Sequence, residues 1–210
     1  MAIKPKRTRI EDIRRVELVQ AAYRVFMQHG LGGMTTARIC AEAGMSPGIL
    51  AYYFKGKKDA LYEMVRYNNR ILLEEIILRL RAARTPWDRI TAIVDGNFPA
   101  QAYERATANA WLSVCAAAST NEEYARLQRF FYRRLRSNLG YSFSPALQGT
   151  RLRDMVLSIG VMIDGLWLRK ATGEDIDRDQ AVTLILDHIS RALSAAETAT
   201  LRREVPPKTA

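Results

Sequence analysis

Apolar side chains return every three or four residues along almost the whole chain and show no convincing strand alternation, which directs it to an all-helical fold. Val16, Val19, Tyr23 and Phe26 fall on one face of a first helix that ends near His29-Gly30, where Gly30, Gly32 and Gly33 permit a stop and a turn. A long helix follows from about Lys57 to Arg84, with Leu61, Met64, Val65, Leu72, Ile76 and Leu80 on its buried side. Thr85-Pro86 supplies a cap and a first-turn proline for the next helix, through Ile90, Ile93, Val94 and Phe98, and Pro99 bends or ends it. Trp111, Val114, Cys115 and Ala118 mark another helix. The run Thr120–Glu123 reads as a capping box ahead of Tyr124, Leu127, Phe131 and Leu135. Residues 140–149 read as a loop.

The last two helices differ in kind. Residues 155–168 (MVLSIGVMIDGLWL) are apolar nearly all round, so that helix must be covered on several sides. Asp177 then caps a helix striped by Val182, Ile185, Leu186, Ile189 and Leu193. Such a pair points to a self-associating surface, with an intramolecular core as an equal alternative. The segment after Leu201 reads as disordered.

Residues 34–61 (MTTARICAEAGMSPGILAYYFKGKKDAL) have the pattern of a helix-turn-helix. Thr35 or Thr36 can cap a short helix that turns Ile39 and Ala43 inward. Gly44 stands where the tight turn needs a left-handed residue, and Ser46-Pro47 opens a second helix. Leu50 and Phe54 anchor that helix, leaving Pro47, Gly48, Ala51, Tyr52 and Tyr53 on its other side. A recognition helix needs little bulk at its tip to enter a major groove about 12 Å wide. Lys57, at the start of the following helix, combines its charge with free amides to meet a phosphate. An ordinary helical corner is the alternative, and Tyr53 can equally be a packing residue.

The formal charge of +10 suits a polyanionic partner, and Lys4, Lys6, Arg7, Arg9, Arg14 and Arg15 cluster beside the helix-turn-helix. Cys40 and Cys115 are far apart, and with His29 and His188 they form no metal-ligand spacing, so neither a disulfide framework, a metal nor a cofactor is expected. The N-terminus lacks the apolar region of a secretory signal, and no apolar run reaches the roughly 20 residues a bilayer requires; a cytoplasmic protein is expected. No Ser/His/Asp set, paired Glu-x-x-His or Gly-rich phosphate loop supports an enzyme.

Residues 10–65, above all AGMSPGILAYYFKGKKDAL, resemble the tetracycline-repressor family of DNA-binding regulators. IVDGNF at 93–98, NAWLSVCAAAS at 109–119, YARLQRFFYRRLRSNL at 124–139 and MIDGLWLRKATGE at 162–174 are similar to its choline-responsive branch, which represses glycine-betaine synthesis genes. The loop at 140–150 and the N-terminal arm do not match. The resemblance implies an all-α chain: a DNA-binding domain over 1–56, a helical regulatory and dimerisation domain over 57–200 and a tail over 201–210.

It further implies a homodimer, paired through the two C-terminal helices, on a palindromic operator. Thr35, Thr36, Ala37, Arg38, Ser46, Pro47, Gly48, Ala51, Tyr52, Tyr53 and Lys57 would meet the DNA. Choline or a related quaternary ammonium compound would release it. Such a cation cannot donate a conventional hydrogen bond, so it needs aromatic faces and a carboxylate. Phe98, Tyr103, Trp111 and Trp167 are the available rings, and Asp95, Glu104 and Asp164 the candidate anions. Asp164, a lone carboxylate in an apolar helix, is the one expected to hold it with those four rings. Aromatic core packing, or pairing of Asp164 with an arginine across a dimer, remains open, as do a lipophilic inducer and a ligand-independent architectural role.

Overall fold

The computed structural model describes residues 7–100 and 102–204; among these every regular element is a helix. In order they are α1 (Arg7–Gly33), α2 (Thr36–Glu42), α3 (Ile49–Tyr53), α4 (Lys57–Ala82), α5 (Pro86–Gly96), α6 (Arg105–Ala118), α7 (Glu122–Phe143), α8 (Gly149–Thr172), α9 (Arg178–Ala192) and α10 (Ala195–Leu201). Two compact units divide within α4, between Arg70 and Ile71, rather than at its first residue.

In the first unit, α1 buries Leu18, Val19, Ala22, Val25 and Phe26, and α2 and α3 contribute Ile39, Cys40 and Leu50. Val16, assigned above to the packed face, is exposed. The helical path of α1 breaks at Gly30, whose φ of 61° lies in the left-handed region that glycine tolerates.

In the second unit, Ile90, Val94, Phe98, Leu139, Phe143, Ile159, Ile163, Ile185 and Ile189 share one apolar core. The end of α5 is a junction. The Asp95 carboxylate pairs with Arg79 of α4 and Arg178 of α9. Arg178 Nε donates to the Phe98 carbonyl at 2.7 Å, and Trp167 Nε1 of α8 donates to the Asn97 carbonyl at 3.1 Å. Four helices are thus fixed on one corner.

Most helix starts follow the expected chemistry. Thr85 caps α5 in a full capping box with Asp88 and Pro86 inside the first turn, and Asp177 caps α9 through Gln180 N. At α7 the cap is Asn121, accepting from Glu123 N, while the Thr120 hydroxyl donates backwards to Ala117. The expected loop at 140–149 is half helix: α7 continues to Phe143 because Leu139, Phe143 and Leu147 are all buried. Burying a phenylalanine gains about 1.5–3 kcal/mol, which outweighs the roughly 1 kcal/mol cost of Gly140 in a helix. Past Leu193 the chain turns into α10, closed by a Ser194–Glu197 capping box and a buried Leu201. Of the tail expected to be disordered, residues 205–210 lie outside the described residues.

Candidate nucleic-acid interface and ligand site

The helix-turn-helix is assembled by local chemistry. Thr35 has extended backbone and its hydroxyl accepts from Arg38 N at 3.2 Å, so the cap falls on Thr35 and not Thr36; such a cap contributes about 1 kcal/mol. Gly44 has a φ of 64°, and a Cβ there would meet nothing within 4 Å, so backbone conformation alone selects glycine. Gly48 differs: its φ is −72° and the space around it is also open. Nothing inside the unit requires a glycine at 48.

The second helix starts later than its sequence suggests. Pro47 and Gly48 form a turn, Ile49 N donates to the Ser46 carbonyl at 3.0 Å, and Ser46 provides no side-chain cap. Burial holds this five-residue helix in place, through Leu50 and Phe54, with Arg15 stacked 5.1 Å over the Phe54 ring. Thr35, Ala37, Arg38, Ser46, Pro47, Gly48, Ala51 and Tyr52 are all exposed; Thr36 and Tyr53 are half-buried. Tyr52, at 67% exposure, reaches Glu11 through its hydroxyl at 3.2 Å and meets the edge of Tyr53 at 4.9 Å. Arg38 donates to the Gly33 carbonyl at 2.7 Å and makes no ion pair among the described residues.

Of the basic cluster, Arg14 pairs with Glu17 at 3.0 Å and Arg15 with Glu63 at 3.3 Å. Lys4 and Lys6, and the side chains of Arg7, Arg9 and Lys57, lie outside what is described.

The five expected ligand residues separate into two groups. Phe98 and Trp167 are near-parallel, 6.2 Å apart, with Tyr103 edge-on to both at 5.3 and 5.0 Å. All three are buried, and the Lys170 ammonium lies 5.4 Å from the Tyr103 ring. Burial raises the Tyr103 pKa, assisted by Asp177, and its hydroxyl has no partner among the described residues.

Trp111 lies instead 5.6 Å from Phe131, which lies 5.8 Å from Tyr132, whose hydroxyl donates to Asp164 Oδ2 at 2.9 Å. Desolvation raises the Asp164 pKa against the pull of that bond, raises Tyr132 further with help from the Asp164 charge, and together with that charge lifts the Cys115 thiol to about 11. Asp164, Tyr132, Leu135, Val156 and Gly160 line an open groove of about 350 Å³ between α7 and α8, rimmed by Arg136, Leu157 and Val161. Phe131 and Tyr132 are not among the ligand residues expected from the sequence; the three adjacent aromatics flanked by arginines in the run RFFYRR were the available signal.

Leu157, Val161 and Leu168 of α8 and Leu184 of α9 are exposed. The outer side of the apolar helix is therefore uncovered within one protomer. No helix among the described residues is long and apolar enough to cross a membrane.

Residues 86–194 match the family of BetI-type transcriptional repressors in their C-terminal domain, and residues 18–65 match the tetR family of bacterial regulatory proteins. The HTH-type transcriptional regulator BetI of Brucella suis is 36% identical over 191 residues, covering 90% of this chain and 96% of that protein. The Serratia proteamaculans BetI is 35% identical over 201 residues, covering 94% and 98%. Among solved structures, a transcriptional regulator of Saccharomonospora viridis in complex with choline is similar with a TM-score of 0.77, at 20% identity over 85% of this chain and 96% of that one. A regulator of Pseudomonas aeruginosa has a TM-score of 0.75 at 20% identity, over 90% and 94%.

Proposed function

Because the chain belongs to the BetI-type transcriptional repressors of the TetR family, we propose that it works as a homodimer on a palindromic operator controlling choline-to-glycine-betaine genes, and that choline releases it. The observation that carries the DNA half is the exposed corner of α2 and α3, where Gly48 and Ala51 keep the tip slender while buried Leu50 and Phe54 hold it rigid. Pro47, Gly48, Ala51 and Tyr52 face base edges in the major groove. Thr35, Thr36, Ala37, Arg38, Ser46, Tyr53 and Lys57 meet the phosphates on either side. Arg38 has no acidic partner to surrender among the described residues, so its charge is free for a phosphate.

A symmetric operator requires two such corners about 34 Å apart, one turn of DNA. The uncovered apolar residues of α8 and α9 supply the contact between protomers, since removing them from water is favourable. Choline acts by binding better to a state that fits the operator poorly, a coupling typically worth about 1–3 kcal/mol. The protein lies in the cytoplasm and works without catalysis.

Nuclease footprinting on the intergenic DNA beside its own gene, with and without choline, tests this. The expected result is a symmetric protected site at near-physiological salt that choline erases. Protection without sequence preference, fading steeply as salt rises, would contradict it.

A further inference from the structure

We propose that the quaternary ammonium head binds at Asp164, oriented by Tyr132 and walled by Trp111 and Phe131, whereas Phe98, Tyr103 and Trp167 are closed core. This rests on the choline reading above and names the site for it.

Asp164 sits in the apolar helix α8 and makes no ion pair among the described residues; Tyr132 provides one hydrogen bond to Oδ2. A carboxylate removed from water without a counter-cation is costly, and this chain has an excess of Lys and Arg from which a structural partner could have been drawn. Arg136 also lines the groove, but it is exposed and forms no ion pair with Asp164. The carboxylate is left for a cation from outside.

The surroundings suit a cation that carries methyl groups in place of N–H donors. The rings of Trp111, Phe131 and Tyr132 follow one another at 5.6 and 5.8 Å, offering π faces to a positive charge. One turn before Trp111 on α6, Thr107 Oγ1 is buried without a partner among the described residues, a polar atom available to a ligand hydroxyl. The α7–α8 groove, about 350 Å³ and in the range of small-molecule sites, reaches Asp164 and Tyr132, and Tyr132 is the only aromatic among the described residues that line it. Its rim residues Leu157 and Val161 are those assigned to the subunit contact, so the proposed dimer covers its mouth.

The other aromatic group fails on two counts. Its three rings are buried, Phe98 completely and Tyr103 and Trp167 to all but 9% of their surface, whereas Trp111, Phe131 and Tyr132 are each only half-buried. The Lys170 ammonium already occupies the cation position near Tyr103 and would repel a second positive charge.

Calorimetric titration with choline and with 3,3-dimethylbutan-1-ol, in which carbon replaces the charged nitrogen, separates the two groups. Wild type should prefer choline strongly. D164N should bind choline at least tenfold more weakly and lose the preference, and Y132F should weaken it several-fold, serving if D164N folds poorly. W167F should stay within about twofold of wild type. If D164N and Y132F both keep the wild-type preference, or D164N keeps it while becoming monomeric, Asp164 is a packing or subunit-contact residue and the assignment is overturned. No choline binding by the wild type overturns the choline reading and the site together.

Discussion

Tyr132 donates to Asp164 Oδ2 at 2.9 Å across the α7–α8 groove, and burial still leaves the Asp164 pKa raised. The sign of the consequence is fixed. An acid whose pKa is higher in the folded state favours folding while both states are protonated, and that advantage disappears as pH rises through the raised value. At neutral pH the ionised Asp164 therefore opposes folding of the empty protein. D164N should melt at a higher temperature than wild type without ligand, and the gap should close as pH falls through the titration range of Asp164; scanning calorimetry over a pH series checks this. Choline affinity of the wild type should fall as pH drops into the titration range of Asp164, because protonation removes the counter-ion.

The two glycines of the helix-turn-helix should respond differently. Gly44→Ala forces a side chain onto a φ of 64° and should cost about 1–2 kcal/mol, read from urea unfolding of the first unit. Gly48→Glu meets neither crowding nor strain, so stability should change by less than about 0.5 kcal/mol. Its added bulk and negative charge should nevertheless abolish operator binding in a mobility-shift assay.

Asp95 holds both Arg79 and Arg178 at the corner where α5 ends. Asp95→Ala removes two charge-assisted bonds whose arginines are partly exposed, so water recovers some of the loss. The expected destabilisation is about 2–3 kcal/mol, a drop of several degrees in Tm at roughly 2–4 °C per kcal/mol. Thermal melts of the variant provide the check.

Leu157 and Val161, each 62% exposed, lie on the uncovered side of α8. Replacing either by Glu should leave the protomer folded, by circular dichroism, while shifting sedimentation equilibrium toward monomer. Operator affinity should fall by at least tenfold, because one half-site contact then has no partner to reinforce it.

How far the sequence could be read depended on how local each feature is. Thr35, Gly44, Leu50 and Phe54 act within a few residues of chain, and their roles were legible from spacing and cap chemistry. The Ser46-Pro47 start was not, because a five-residue helix is placed by burial of Leu50 and Phe54 more than by its first turn. The continuation of α7 past Gly140 was hidden for a similar reason: Phe143 reveals its value only when packed. The ligand residues were half legible. Asp164 stood out as a lone carboxylate in an apolar helix, but its pairing with Tyr132 spans 32 positions. Separation of Trp111 from Trp167 likewise follows from how α6, α7 and α8 cross, which no single helix encodes.

The central claim is that occupancy by a small quaternary cation controls DNA binding, and a choline titration of the preformed complex with one operator duplex, followed by fluorescence anisotropy, tests it most directly. Release of the duplex by choline, with 3,3-dimethylbutan-1-ol far less effective at equal concentration, is the predicted result. An anisotropy unchanged at saturating choline, or equal release by the uncharged analogue, would contradict it.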